Sequence, residues 1–270
     1  MNRERWARVA RGWEQRADPY RRLTMPVTMW MIEAIAPQPG HTILDLAAGI
    51  GDTGFLASEL IQPGGTLITT DYLPEMLSAA QRRAETLGVK NVRFKQVDAS
   101  QPLDFEAASI DGVLCRWGYM LMGDGEAALQ ETRRILRPGG RVALAAWMSA
   151  EENQWSSLPV RVLIERGALP PPENGGPGQF AWAEEGVVAE RLENAGFVDY
   201  EVQALDFPMR FGSVQEWWTN SRAMGVLVNE ARIDDEAALM NDLAAAVAQW
   251  TADDGSIAIP ARTWVAAATG

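Results

Sequence analysis

Thr42-Ile43-Leu44-Asp45-Leu46-Ala47-Ala48-Gly49-Ile50-Gly51-Asp52-Thr53-Gly54, followed by Phe55-Leu56-Ala57-Ser58-Glu59-Leu60, decides how the rest of the chain is read. The mostly apolar run Ile43-Leu44-Asp45-Leu46 has the composition of a short parallel strand covered on both faces. Gly49 and Gly51 then allow a tight bend that another molecule can approach closely. The residues after the bend read as a helix, whose first free N–H groups are aimed back at it.

The same unit recurs downstream. Pro63-Gly64-Gly65 turns the chain into the strand Thr66-Leu67-Ile68-Thr69-Thr70, which ends at Asp71 and is followed by Tyr72-Leu73-Pro74-Glu75-Met76-Leu77. A helix around Leu77–Leu87 leads to the strand Val92–Val97, closed by Asp98-Ala99. Ile110–Cys115 is the fourth strand, and Arg116-Trp117-Gly118-Tyr119-Met120-Leu121-Met122 is the loop beyond it. A helix from about Gly125 to Leu136, the turn Leu136-Arg137-Pro138-Gly139-Gly140 and the strand Val142–Trp147 complete the regular part. Strands alternating with helices specify an α/β fold with a doubly wound, mostly parallel sheet. In such a sheet the carboxyl ends of the strands share one crevice, so Asp45, Asp71 and Asp98 are expected to converge on one ligand.

Gly49, Gly51 and Gly54 satisfy G-x-G-x-x-G, and Asp71 follows about 20 residues later, as in a dinucleotide site. The acid closing the first strand, with Leu46-Ala47-Ala48 before the first glycine, suits a cationic ligand better than a pyrophosphate. At this point the residues resemble the class I S-adenosylmethionine (SAM) dependent methyltransferases, whose first motif is D-x-x-x-G-x-G. The wording of residues 44–52 looks most like the quinone-biosynthesis C-methyltransferases and their small-molecule relatives, and the L-x-P-G-G turn is a second likeness.

That resemblance implies a Rossmann-like seven-stranded sheet, SAM as cofactor with S-adenosyl-L-homocysteine as product, and cofactor contacts at Asp45, Ala47, Gly49, Gly51, Asp71, Tyr72, Met76, Asp98, Ala99 and Arg116. A carboxylate at Asp71 can accept both ribose hydroxyls. Tyr72 or Leu73 would face the adenine, and an acid at Asp98 can accept from its amino group. The likeness covers roughly residues 40–147.

Residues 3–35 read as two helices broken near Asp18-Pro19. Trp6, Trp13 and Tyr20 give this arm large apolar surfaces, and Trp13 is the expected cover over the cofactor. After residue 148 a helix is expected over Trp155–Arg166, an irregular loop over Leu169–Gly178, a helix over 183–195 stopped by Gly196, and a strand over Phe197–Phe207. The last strand is expected at Ser256–Ile259 and Thr263–Ala267, bulged or at an edge because Pro260 interrupts it. The helical stretch between the last two strands completes the expected division: a cap at 1–39, a core at 40–211 and 255–270, and a substrate lid at 212–254.

Composition narrows the function. The 270 residues are 47% hydrophobic, enough for one large α/β domain. With 36 acidic against 24 basic residues the chain is no general nucleic-acid binder, although the first 22 residues are rich in arginine. The single cysteine, Cys115, excludes an internal disulfide and fits a reducing, cytoplasmic setting. No apolar run is long enough for stable membrane insertion. No Cys/His cluster suggests a metal. The expected partner is a small-molecule methyl acceptor, and nothing opposes a homo-oligomer.

Methyl transfer from a sulfonium needs alignment and exclusion of water more than a new charge stabiliser. The only histidine, His41, precedes the first strand and should lie at the far end of the sheet from the crevice. The acceptor is therefore expected to be already nucleophilic, with Tyr119 and Arg116 as the candidate catalytic side chains. Abundant Trp and Met point to an apolar or aromatic acceptor. The alternatives are a nicotinamide-dependent oxidoreductase and a SAM-binding protein without turnover.

Overall fold

A computed structural model describes residues 3–171 and 176–270. Seven strands, β1 (Thr42–Asp45), β2 (Thr66–Asp71), β3 (Val92–Gln96), β4 (Ile110–Arg116), β5 (Leu136–Trp147), β6 (Tyr200–Phe211) and β7 (Ile257–Thr269), form one sheet in the order β3-β2-β1-β4-β5-β7-β6. β1 pairs in parallel with both β2 and β4, whereas β7 runs antiparallel to β5 and β6. The strand order reverses between β1 and β4, and a doubly wound sheet opens its crevice there.

Both faces of the sheet are covered. The helices are α1 (Arg3–Gln15), α2 (Ala17–Ile35), α3 (Asp52–Leu60), α4 (Pro74–Leu87), α5 (Gly125–Ile135), α6 (Gln154–Glu165), α7 (Val187–Asn194), α8 (Val214–Met224) and α9 (Glu236–Ala246). Strand residues Ile43, Leu44, Val113 and Leu114 are fully buried, as their apolar runs require. In α4, Pro74 stands at the helix start with its backbone angle preset, and Gly88 closes the helix in the left-handed region at φ +72°. Pro19 lies in the first turn of α2, so the helix break falls just before it, at Arg16. Val27 and Met31 of α2 are completely buried and α2 packs on β4, β5, β6 and β7, so this helix is a layer of the core.

Several boundaries differ from the sequence reading. β5 starts at Leu136, and the Pro138-Gly139-Gly140 turn is absorbed into it as an irregularity: Ile110 faces Leu136, but Gly112 already faces Arg141. Gly139, at φ +80°, makes that detour. The helix expected over 183–195 is shorter, Val187–Asn194, and β6 begins later than expected, at Tyr200. β7 is unbroken and unbulged, with twelve regular pairs to β6, and it is an interior strand. Pro260 is tolerated because β7 extends past β5, whose pairing stops at Thr263, so no ladder partner is lost on that side. Part of the loop expected at Leu169–Gly178, residues 172–175, lies outside the described residues.

Candidate active site

A cleft opens at the carboxyl ends of β1 to β4. Its floor on the β1 and β4 side is Ala47, Gly49 and Gly118, and on the β2 side Asp71, Tyr72, Leu73 and Met76. Val97, Asp98, Ala99 and Ser100 wall it beyond β3. Leu121 and Met122 close another side, and Trp6 and Trp13 of α1 hang over it.

The bend after β1 is held by hydrogen bonds to the neighbouring strand end. Asp71 Oδ2 accepts the Gly49 N–H at 2.8 Å, and its Oδ1 accepts the Leu73 N–H at 2.9 Å. Asp71 is 9% exposed, and burial pushes its carboxyl above the ordinary range despite these bonds. Gly49 has φ +57°, and a Cβ built on it would meet nothing within 4 Å. The bend therefore presents bare backbone to the cleft. Gly51 and Gly54 serve packing instead: a Cβ would come 2.4 Å from the Phe55 ring at Gly51 and 2.7 Å from Asp45 Oδ2 at Gly54.

Of the three acids expected to meet, Asp71 and Asp98 share the cleft and Asp45 does not. Asp45 is 1% exposed, and its Oδ2 accepts the Gly54 N–H at 2.8 Å. A helix start offers free N–H groups, and the acid at the end of β1 satisfies one of them. Burial first, with Asp71 and Asp52 nearby, raises the Asp45 carboxyl to about 7, against the pull of the Gly54 bond and Arg116. Asp98 is exposed, and its Oδ1 also accepts from the Ser100 N–H and hydroxyl, so it stabilises its own turn as well.

Arg116 and Tyr119 do not line the cleft. Arg116 turns toward α2 and donates to the hydroxyls of Thr24 and Thr28 at 2.7 and 2.8 Å, with its guanidinium 5.0 Å from the centre of the Trp117 ring. Tyr119 is 1% exposed, its hydroxyl bonded to Thr132 at 2.7 Å, and burial holds its phenol well above the usual range. Trp117, in the left-handed region at φ +59°, is locked by Thr263 and by a stack on Trp147 at 4.1 Å. Cys115 is buried, and burial raises its thiol too. His41 lies before β1, at the opposite end of the sheet, where its Nδ1 accepts the Gln38 N–H. Among the described residues no cluster of His, Cys, Asp and Glu could hold a metal ion.

Trp13, expected as the cover, lines the cleft with its indole N–H bonded to the Met224 carbonyl at 3.2 Å and its ring edge-on to Tyr20. Trp6, not singled out beforehand as a cleft residue, stands beside it with ring centres 6.4 Å apart. Their seven-residue spacing puts both on one helix face, a signal present in the sequence. Gly118 was also missed as a lining residue. A Cβ there would lie 2.8 Å from that of Ala47, so the loops after β1 and β4 meet at the cleft floor.

These features fit a nucleoside bearing a cationic tail. A carboxylate with lone pairs to spare, at Asp71, suits paired ribose hydroxyls, and the flat apolar walls beside it suit a base. The chain is a class I SAM-dependent methyltransferase, and SAM is its cofactor. Within that class, the model of the ubiE/COQ5 methyltransferase family matches residues 27–157. The chain is 29% identical over 229 residues to a nocamycin O-methyltransferase of Saccharothrix syringae, covering 81% of each. It is 40% identical over 124 residues to a demethylmenaquinone methyltransferase of Thermus thermophilus, where the match covers 46% of this chain and 54% of that one. Thus it spans only about half of that relative. Among solved structures, the YcgJ protein of Bacillus subtilis superposes with a TM-score of 0.62 at 20% identity, over 91% of this chain and 98% of that one. The likeness in fold extends over nine-tenths of this chain, and the family match selects SAM over a nicotinamide cofactor.

Proposed function

We propose that the protein methylates a small apolar or aromatic molecule, with cofactor contacts at Ala47, Gly49, Asp71, Tyr72, Met76, Asp98 and Ala99. The observation that carries this reading is the lining of the cleft: outside Asp71, Asp98 and Ser100 it consists of backbone, aliphatic, Met and aromatic surface. When bound, SAM supplies an activated methyl group on a sulfonium. The chain's own contribution is placement. Asp71, pinned by two backbone N–H groups, offers fixed acceptors for the ribose, and Tyr72, Leu73 and Met76 shape a slot for the base. Trp6 and Trp13 exclude water from above, and a cation held against an aromatic face gains about 0.5–2 kcal/mol. Alignment of this kind supplies on the order of 7–11 kcal/mol of a bimolecular barrier.

No histidine reaches the cleft, and the phenol of Tyr119 and the thiol of Cys115 are buried in their protonated forms. That favours an acceptor nucleophilic in its own right: an amine, an enolate-like carbon, an acidic phenol or a carboxylate. The lid reading is narrowed in the same way. Of the expected roof, α1 lines the cleft through Trp6 and Trp13, no residue of 212–254 lines it, α8 packs against α1, and α2 serves the core. Incubation of a metabolite extract with the protein and deuterated-methyl SAM tests the proposal. A labelled small apolar product supports it; label found only in strongly polar metabolites overturns the acceptor class.

A further inference from the structure

The loop after β4 gives the cleft a second side wall. In the sheet, β4 lies on the other side of β1 from β2 and β3, so Leu121, Met122 and Gly123 stand across the cleft from the nucleoside contacts proposed at Asp71, Tyr72 and Asp98. Met122 is half-buried, and its end methyl reaches the cleft floor: a Cβ built on Gly118 would lie 3.7 Å from it and 2.8 Å from the Ala47 Cβ. The wall is held in place at both ends. The Leu121 N–H bonds to the Gly118 carbonyl at 2.9 Å and the Met122 N–H to the Tyr119 carbonyl at 3.1 Å, while Asp124 accepts the Ala127 N–H at 2.9 Å and so fixes the start of α5. Between these anchors Gly123 is exposed at the rim, and a Cβ built on it would meet nothing within 4 Å. Its backbone also lies outside the left-handed region that favours glycine. Among the described glycines only Gly123 and Gly178 combine open space with an ordinary backbone, and Gly178 does not line the cleft. Neither strain nor packing requires a glycine at this point. Its effect is to leave bare backbone on a cleft wall, against which a flat molecule can lie.

In-line methyl transfer needs the nucleophile behind the methyl carbon, on the side away from the sulfur. With the nucleoside on the β2 and β3 side, the approach left open across the floor is from the β4 wall. We infer that Met122 and Gly123 seat the acceptor, a flat apolar or aromatic molecule, and that Met122 sets its size. An electron pair of the acceptor bonds to the methyl carbon while the carbon–sulfur bond breaks, the bonding electrons stay on sulfur, and any proton on the acceptor atom leaves to solvent. Methionine suits this place. Its unbranched side chain adapts to the shape of a ring, and its sulfur gains from lying about 5 Å from one. Gly123 contributes room, and Trp6 and Trp13 contribute the cover. This assignment rests on the acceptor class proposed above and adds the residues that select within it.

Two substitutions change the wall in opposite senses. Met122→Ala removes the side chain that reaches the floor, and Gly123→Leu fills the open stretch. The Cβ added at Gly123 meets no protein atom, so the melting temperature of that variant should match the wild type. Wild type and both variants are incubated with one metabolite extract and deuterated-methyl SAM, the masses of the labelled products are compared, and S-adenosyl-L-homocysteine affinity is measured by calorimetry alongside. Met122→Ala should move the label toward heavier products, and Gly123→Leu should lower labelling of the heaviest wild-type product roughly tenfold or more. Both should bind S-adenosyl-L-homocysteine as the wild type does. Unchanged product masses in both variants overturn the assignment. Loss of S-adenosyl-L-homocysteine affinity with the wild-type product pattern also overturns it, because the wall would then belong to the cofactor. Label found only in strongly polar metabolites strikes the acceptor class proposed above, whereas an unmoved size limit strikes the wall. If the wild type labels nothing, anilinonaphthalene sulfonate, an aromatic probe, is titrated into each protein saturated with S-adenosyl-L-homocysteine. Wild-type binding that Gly123→Leu weakens roughly tenfold supports the seat, and equal binding, or none, overturns it.

Discussion

Asp71 Oδ2 accepts the N–H of Gly49 at 2.8 Å, tying the end of β2 to the bend that follows β1. One side chain thereby fixes the shape of the cleft floor and offers its remaining lone pairs to a ligand. Asp71→Asn would turn an NH2 group against one of two backbone donors, Gly49 or Leu73. A charge-assisted bond is worth about 1.5–3 kcal/mol, which corresponds to roughly a 10–100-fold loss of SAM affinity. Calorimetry checks it, and an affinity within twofold of wild type would remove Asp71 from the site.

Two glycines, Gly49 in the bend and Gly54 in α3, should separate cleanly. Gly49→Ala meets no protein atom but places a methyl in the cleft from a residue at φ +57°. It should cost about 1 kcal/mol of stability through backbone strain and a much larger share of ligand binding. Gly54→Ala drives a methyl to 2.7 Å from Asp45 Oδ2 and 2.9 Å from Leu67, so it should lower stability by about 1–3 kcal/mol. Thermal melting and SAM binding, measured side by side on both variants, give the contrast; similar profiles would contradict it.

The core pattern was legible because β1, β4 and β5 carry apolar runs, Ile43–Leu44, Val113–Cys115 and Val142–Trp147, a local signal. The cleft was legible to the extent that topology alone decides it: Asp71 ends β2 and Asp98 follows two residues after β3, on one crevice. Asp45 ends a strand in the same way, yet the free N–H at Gly54 claims it. Strand position cannot distinguish an acid that faces ligand from one that completes a helix start. Arg116 and Tyr119 were misplaced for a related reason. Their partners, Thr24, Thr28 and Thr132, come from helices whose approach no local pattern encodes. Pro260 misled because a proline's cost depends on whether a neighbouring strand reaches it.

Asp45 also makes stability depend on pH. Its folded carboxyl titrates at about 7 against an ordinary 3.8, so the folded state holds the proton more tightly than the unfolded one. The stability this provides is fully present below about pH 4 and is lost as pH rises through 7. The effect is on the order of 2–4 kcal/mol. Glu14, Asp18 and Glu131 shift the opposite way, but they titrate at lower pH. Melting temperature should therefore fall by several degrees between pH 5 and pH 8, and Asp45→Asn, which keeps an oxygen for Gly54, should flatten that slope. A wild-type melting temperature that rises over this range would refute the assignment.

The roof is held by contacts of unequal worth. On one side, Glu14 makes two bonds to Arg82, at 2.7 and 2.8 Å, but Arg82 is exposed, and such pairs contribute about 0–1 kcal/mol. On the other side, α1 meets α8 backbone to backbone: a Cβ on Gly12 would lie 1.8 Å from the Ala223 carbonyl oxygen. Beside this crossing, Trp13 donates to the Met224 carbonyl, and Arg5 and Arg8 reach Glu230. Gly12→Ala cannot be absorbed by a rotamer change, because the obstacle is main chain. It should push α1 off α8, lift Trp6 and Trp13 from the cleft, weaken SAM binding by about tenfold and expose α1 to protease, while leaving the melting of the core nearly unchanged. Arg82→Ala should change affinity and cleavage by less than twofold. Limited proteolysis and calorimetry on the two variants measure this difference, and equal behaviour would mean that the α1–α8 crossing does not hold the roof.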